Sequence, residues 1–196
     1  MNRAYQPLPS RELGANAGFR RPIQPQPPRV TAESAAVDVM TDLTRTAPAT
    51  IRPQAPLAGA NQFMITRGVR LLLVADDYEN VLGVITATDV LGEKPVRAAT
   101  ERGVRRDELT VADVMTPVEQ VEAIEFGDLR GAHVGHVLET LRHAGRQHAL
   151  VVESDGVRPM VRGIFSVSQI ARQLGVALPA GAEVARTFSE IESAIK

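Results

Sequence analysis

Gly83-Val84-Ile85-Thr86-Ala87-Thr88-Asp89 returns later in the chain as Gly163-Ile164-Phe165-Ser166-Val167-Ser168-Gln169, 163 − 83 = 80 residues on. Each copy reads as a short apolar strand that ends on a small hydroxyl residue and runs straight into a helix. Working outward, Leu71-Leu72-Leu73-Val74 matches Ala149-Leu150-Val151-Val152. Further upstream, Val37-Asp38-Val39-Met40-Thr41 matches Ala112-Asp113-Val114-Met115-Thr116, an offset of 115 − 40 = 75. Three landmarks recur in order and drift only by loop lengths. A duplicated unit of this size implies two similar halves packed together.

Each half reads as β-α-β-β-α. A helical turn ends at the Met, and a brief strand follows near 49–52 or 121–126. An amphipathic helix comes next. In the second half its apolar residues are Val134, Val137, Leu138, Leu141 and Ala144, at helical spacing. Gly68 and Gly145 are placed to end the two helices. Apolar strands follow at 70–75 and 81–85, and again at 148–153 and 160–165. A second helix starts directly after Thr86 or Ser166.

The 196 residues suit one compact domain or two small ones. With no Trp and few aromatic residues, the core must be aliphatic, which favours small α/β layers. Cysteine is absent, excluding disulfides, thiolate metal sites and cysteine nucleophiles. No G-x-S-x-G, H-E-x-x-H, Walker A or G-x-G-x-x-G pattern occurs, so no enzyme is expected. A net charge of −1 gives no general attraction to nucleic acid or anionic membrane. No long apolar run or signal-like segment is seen, so the expected location is the cytoplasm.

Residues 1–30 stand apart. They hold Arg3, Arg11, Arg20, Arg21 and Arg29 against Glu12, and six of the 13 prolines. Such sequence cannot build a core, and a disordered arm is expected. The expected division is arm 1–30, first repeat 31–100, second repeat 101–178 and a C-terminal helix 179–196. That helix carries the stripe Val184, Phe188, Ile191, Ile195. The stripe must pack either on its own module or on a second subunit.

Thr86-x-x-Asp89 ahead of a helix is a capping box, each side chain meeting an orphan backbone N–H. The same geometry can serve a ligand, because a carboxylate accepts from a ribose diol and a hydroxyl donates to phosphate. Ser166-x-x-Gln169 keeps the capping pattern but lacks the carboxylate. Glu119, Glu122, Glu125 and Asp128 are read as a solvated strand face; turned toward the second cleft, they would oppose a phosphate there. His133, His136 and His143 sit on one side of a helix, but their span exceeds the two turns of an ordinary zinc site, so no metal is expected.

The phrase Gly83–Asp89 resembles the signature of the CBS-domain family: Gly, two apolar residues, Thr or Ser, two variable residues, Asp. Gly68–Asp76 and the openings V-D-V-M-T and A-D-V-M-T resemble other passages of that family. The similarity runs over about residues 35–175. It implies an α/β fold of two CBS repeats related by pseudo-two-fold symmetry, a Bateman module. It further implies a stand-alone regulatory module, with no cofactor, that binds AMP, ADP, ATP or S-adenosylmethionine between the repeats. Such a module would form a homodimer and signal through an effector protein. On the same grounds Asp89 would hold ribose and Thr86 phosphate. Arg70 and His148 would serve from the cleft walls, with Thr88, Val84 and Arg146 beside them. The alternative is an oligomeric scaffold whose clefts bind no nucleotide.

Overall fold

The computed structural model describes residues 8–15, 17–18, 29–154, 156–176, 188–191 and 193. Among the described residues the strands and helices follow the doubled pattern, one helix excepted. In the first half these are β1 (Thr41–Asp42), β2 (Thr50–Ile51), α1 (Leu57–Arg67), β3 (Leu71–Ala75), β4 (Val81–Thr86) and α2 (Ala87–Leu91). The second half contains β5 (Thr116–Pro117), β6 (Ala123–Glu125), α4 (Val134–His143), β7 (His148–Ser154), β8 (Pro159–Ser166) and α5 (Val167–Leu174). Between the halves lies α3 (Lys94–Arg102), an element without a counterpart in the repeat. Gly68 and Gly145 both adopt left-handed backbone (φ 66° and 61°), ending α1 and following α4 as their lack of a Cβ permits.

The two sheets exchange their edges. One runs β2-β3-β4-β5 and the other β1-β8-β7-β6. Thus the opening strand of each half pairs antiparallel with the last strand of the other half, Asp42 with Gly163 and Gly83 with Pro117. The glycine that begins each signature phrase lies where this foreign strand crosses. A Cβ on Gly83 would overlap the Thr116 carbonyl oxygen, and one on Gly163 would overlap the Met40 side chain.

Strand β3 is buried along its whole length because both its faces are covered. Leu72 and Val74 face the helices of the first core, with Ile85, Met64 and Val111. Leu71 and Leu73 face the other way and meet Val84 and Leu150 in the seam between the repeats. In the second half Val151 and Phe165 join Val137, Leu141 and Ile170 in a third cluster. Phe188 and Ile191 are buried in that same cluster, so these two stripe residues pack on their own module. Val184 and Ile195 lie outside the described residues. Val30, at the end of the expected arm, is also buried there, and its N–H donates to the Gln173 carbonyl at 3.2 Å. Residues 8–15 and 17–18 are exposed and form neither helix nor strand.

Candidate functional site

Two clefts flank the seam, one on each side of the pseudo-two-fold. The first, about 290 Å³, is lined by Val84, Thr86, Thr88 and Asp89 from the first half and by Arg146 and His148 from the second. Six of the seven residues expected at the site therefore come together. The seventh, Arg70, lines the other cleft instead. That corrects its expected place beside Asp89. Leu71, paired with Thr86 at the start of β3, lines both clefts, whereas Arg70, one residue before the strand, lines only the other. His148 reaches both.

Local sequence builds the Asp89 corner. The Thr86 N–H and hydroxyl donate to Asp89 Oδ2 at 2.8 and 2.7 Å, and the Asp89 N–H donates back to Thr86 Oγ1 at 3.2 Å. The capping box read from the sequence is present. Lys94 was not foreseen. Its ammonium is 2.6 Å from Asp89 Oδ1 and donates to Thr116 Oγ1 at 3.2 Å. A carboxylate offers about four acceptor positions. Two are taken by Thr86 and one by Lys94, which leaves one on Oδ1 for a ligand unless the half-exposed lysine swings away. The signal that could have found Lys94 is its position two residues beyond Gly92, where a short α2 turns the chain back toward the cleft.

Charge in this cleft is balanced. Glu122 also lines it and lies 3.1 Å from Arg146. From sequence, the acids after Met115 read as a solvated strand face that would oppose a phosphate only if turned toward the second cleft. Glu122 lines the first cleft instead. His148 is held neutral: burial, then the nearby Arg70 charge, push its pKa down to about 4, against a smaller upward pull from Asp89.

The second cleft, about 520 Å³, has a different character. Arg67, Arg70 and Arg172 line it, with Thr46, Ser166 and Gln169, and no carboxylate does. Ser166 does not form the expected capping box with Gln169. Its hydroxyl pairs with Ser168 Oγ at 3.0 Å, and no side chain caps α5. A neutral Gln amide accepts less strongly than a carboxylate. His133, His136 and His143 line neither cleft: His136 Nδ1 accepts the His133 N–H at 3.0 Å, and those two rings stack 5.4 Å apart. Among the described residues no cluster of three metal-ligating side chains forms.

Comparison with known proteins finds this fold again. The CBS domain family model matches residues 37–95. Over those residues the chain is similar to a CBS domain. No curated protein matches it at a significant level. Among solved structures, an uncharacterized conserved protein from Pyrococcus horikoshii aligns at 21% identity with a TM-score of 0.54, covering 78% of this chain and 100% of its own. The complex of CBSX2 with AMP aligns at 20% identity and 0.52, covering 71% and 94%; CBSX2 is a CBS-pair protein from Arabidopsis thaliana. The CBS domain pair of protein MJ0100, in complex with 5′-methylthioadenosine and S-adenosyl-L-methionine, aligns at 20% and 0.50, covering 73% and 97%. At such identities the likeness is one of fold, and it extends over both halves of the chain. No helix among the described residues is long and apolar enough to cross a membrane.

Proposed function

We propose that this protein is a CBS-type regulatory, non-catalytic module that binds an adenosine-containing ligand in the Asp89 cleft and passes its ligand state to an effector protein. The observation that carries the reading is Asp89 itself. It is a fixed carboxylate with one acceptor position left, at the end of a cleft walled by Leu71, Val84 and Leu150. An acceptor beside an apolar slot suits a ribose hydroxyl beside a purine. Two fold relatives are complexes with AMP or with 5′-methylthioadenosine and S-adenosyl-L-methionine, which supports the same ligand class here. The balanced pairs Lys94–Asp89 and Glu122–Arg146 favour a ligand held chiefly by its nucleoside end. A ligand changes the module's behaviour only as far as its affinity differs between two arrangements of the repeats.

Calorimetric titration with AMP, adenosine and S-adenosylmethionine tests this. Losing one charge-assisted hydrogen bond, worth about 1.5–3 kcal/mol, should weaken binding roughly tenfold to a hundredfold in Asp89→Ala. Equal binding by the variant and the parent would refute the assignment. The scaffold alternative draws support from the same two internal ion pairs, since they satisfy the cleft's charges without a ligand; it predicts no heat with any of the three compounds.

A further inference from the structure

The second cleft differs in chemistry from the first, and the difference points to another ligand. Arg67, Arg70 and Arg172 line its wall, drawn from α1, the loop after it and α5. Among the described residues none of the three forms an ion pair, whereas Arg146 in the other cleft is paired with Glu122. The Arg67 guanidinium is steadied over the Phe63 ring, 5.4 Å from its centroid. The nearest acid along the lining strand, Asp42, is held by Arg162 and Arg45. No carboxylate faces the cavity. Three guanidiniums in a concave, acid-free wall leave a charge that a compact polyanion can neutralise, and guanidinium forks match phosphoryl oxygens. Ser166 and Ser168 bring hydroxyls to the same wall.

What is missing matters equally. The position that would hold a sugar diol is Gln169, which carries no charge and caps nothing. We infer that the Gln169 cleft is a separate site for a ligand bearing two or more adjacent phosphoryl groups, recognised through Arg67, Arg70 and Arg172 and not through a nucleoside. The clefts are then non-equivalent: one reads the nucleoside end of its ligand, the other reads phosphate charge.

Inorganic pyrophosphate is the probe, titrated calorimetrically into the full chain at low and at high salt. Binding should occur without any nucleoside and weaken as salt screens it. Arg70→Gln and Arg172→Gln should each lower affinity at least tenfold, while Arg97→Gln, on the exposed outer helix α3, should not. Gln169→Asp guards against misfolding as the cause of any loss. It restores a capping carboxylate to α5, so thermal stability should hold or rise while pyrophosphate affinity falls at least tenfold. Absence of pyrophosphate binding at low salt, or binding indifferent to Arg70→Gln, Arg172→Gln and Gln169→Asp, overturns the proposal. Adenosine, which has no phosphate, reports on the Asp89 cleft alone. Pyrophosphate binding without adenosine binding would therefore sink the adenosine reading and keep this one, and the reverse would do the opposite.

Discussion

His148 shows how one residue can serve the seam and constrain it. It opens β7 and reaches both clefts. Burial and the Arg70 charge depress its pKa to about 4, so at neutral pH it offers a neutral ring. Protonation then has a defined cost. Between about pH 6.5 and 4 the unfolded chain takes up a proton at this position that the folded chain refuses. Stability contributed here is therefore full above the unfolded value and falls as pH drops through that window. Urea midpoints measured at pH 7, 5.5 and 4.5 should decline less steeply in His148→Gln than in the parent. Identical slopes would mean that His148 is not held neutral.

At the scale of elements, the exchanged edges explain why each signature phrase begins with glycine. The foreign strand runs too close for a Cβ at Gly83 or Gly163. The two positions are not equally strict. At Gly83 the obstacle is the Thr116 backbone, which is fixed by its pairing with Val84. At Gly163 it is the flexible Met40 side chain, which can turn away. Gly83→Ala should cost roughly 2–4 kcal/mol and Gly163→Ala about 1 kcal/mol, by the ordinary range for overpacking. Equilibrium urea unfolding would measure both, and equal costs would count against the crossing geometry. The Asp of A-D-V-M-T has a structural use of its own: Asp113 accepts the Thr110 N–H at 2.8 Å and lies 2.5 Å from Arg102 Nη1. Helix α3 thereby ties the link between repeats to the second opening.

Across the whole molecule, Asp42 and Arg162 join an opening residue of the first half to the sheet of the second. The Thr44 hydroxyl and then Arg162 hold the Asp42 carboxyl at about 2, below its usual value. Stability from this link is present above about pH 4 and fades as pH falls toward 2. Asp42→Asn should lose stability at neutral pH and give a shallower acid-unfolding profile over that interval. A circular-dichroism titration that superimposes on the parent's would show that the link contributes nothing. Phe188 and Ile191 close the second core from a distant part of the sequence, so the C-terminal stripe no longer calls for a second subunit to cover those residues.

The amino-acid sequence by itself determined the repeat, the β-α-β-β-α order, the helix ends at Gly68 and Gly145, and the Thr86–Asp89 box. All of these depend on contacts within a few residues, where periodicity and capping chemistry act directly. Only the tertiary structure decided how the clefts are composed. Which cleft receives Arg70 and which receives Glu122 follows from how the two halves pack, which brings together residues far apart in the chain. Lys94 beside Asp89, the uncapped start of α5 and the burial of Phe188 belong to the same class. A local pattern states what a residue can do; the packing of one half against the other settles which partner it meets.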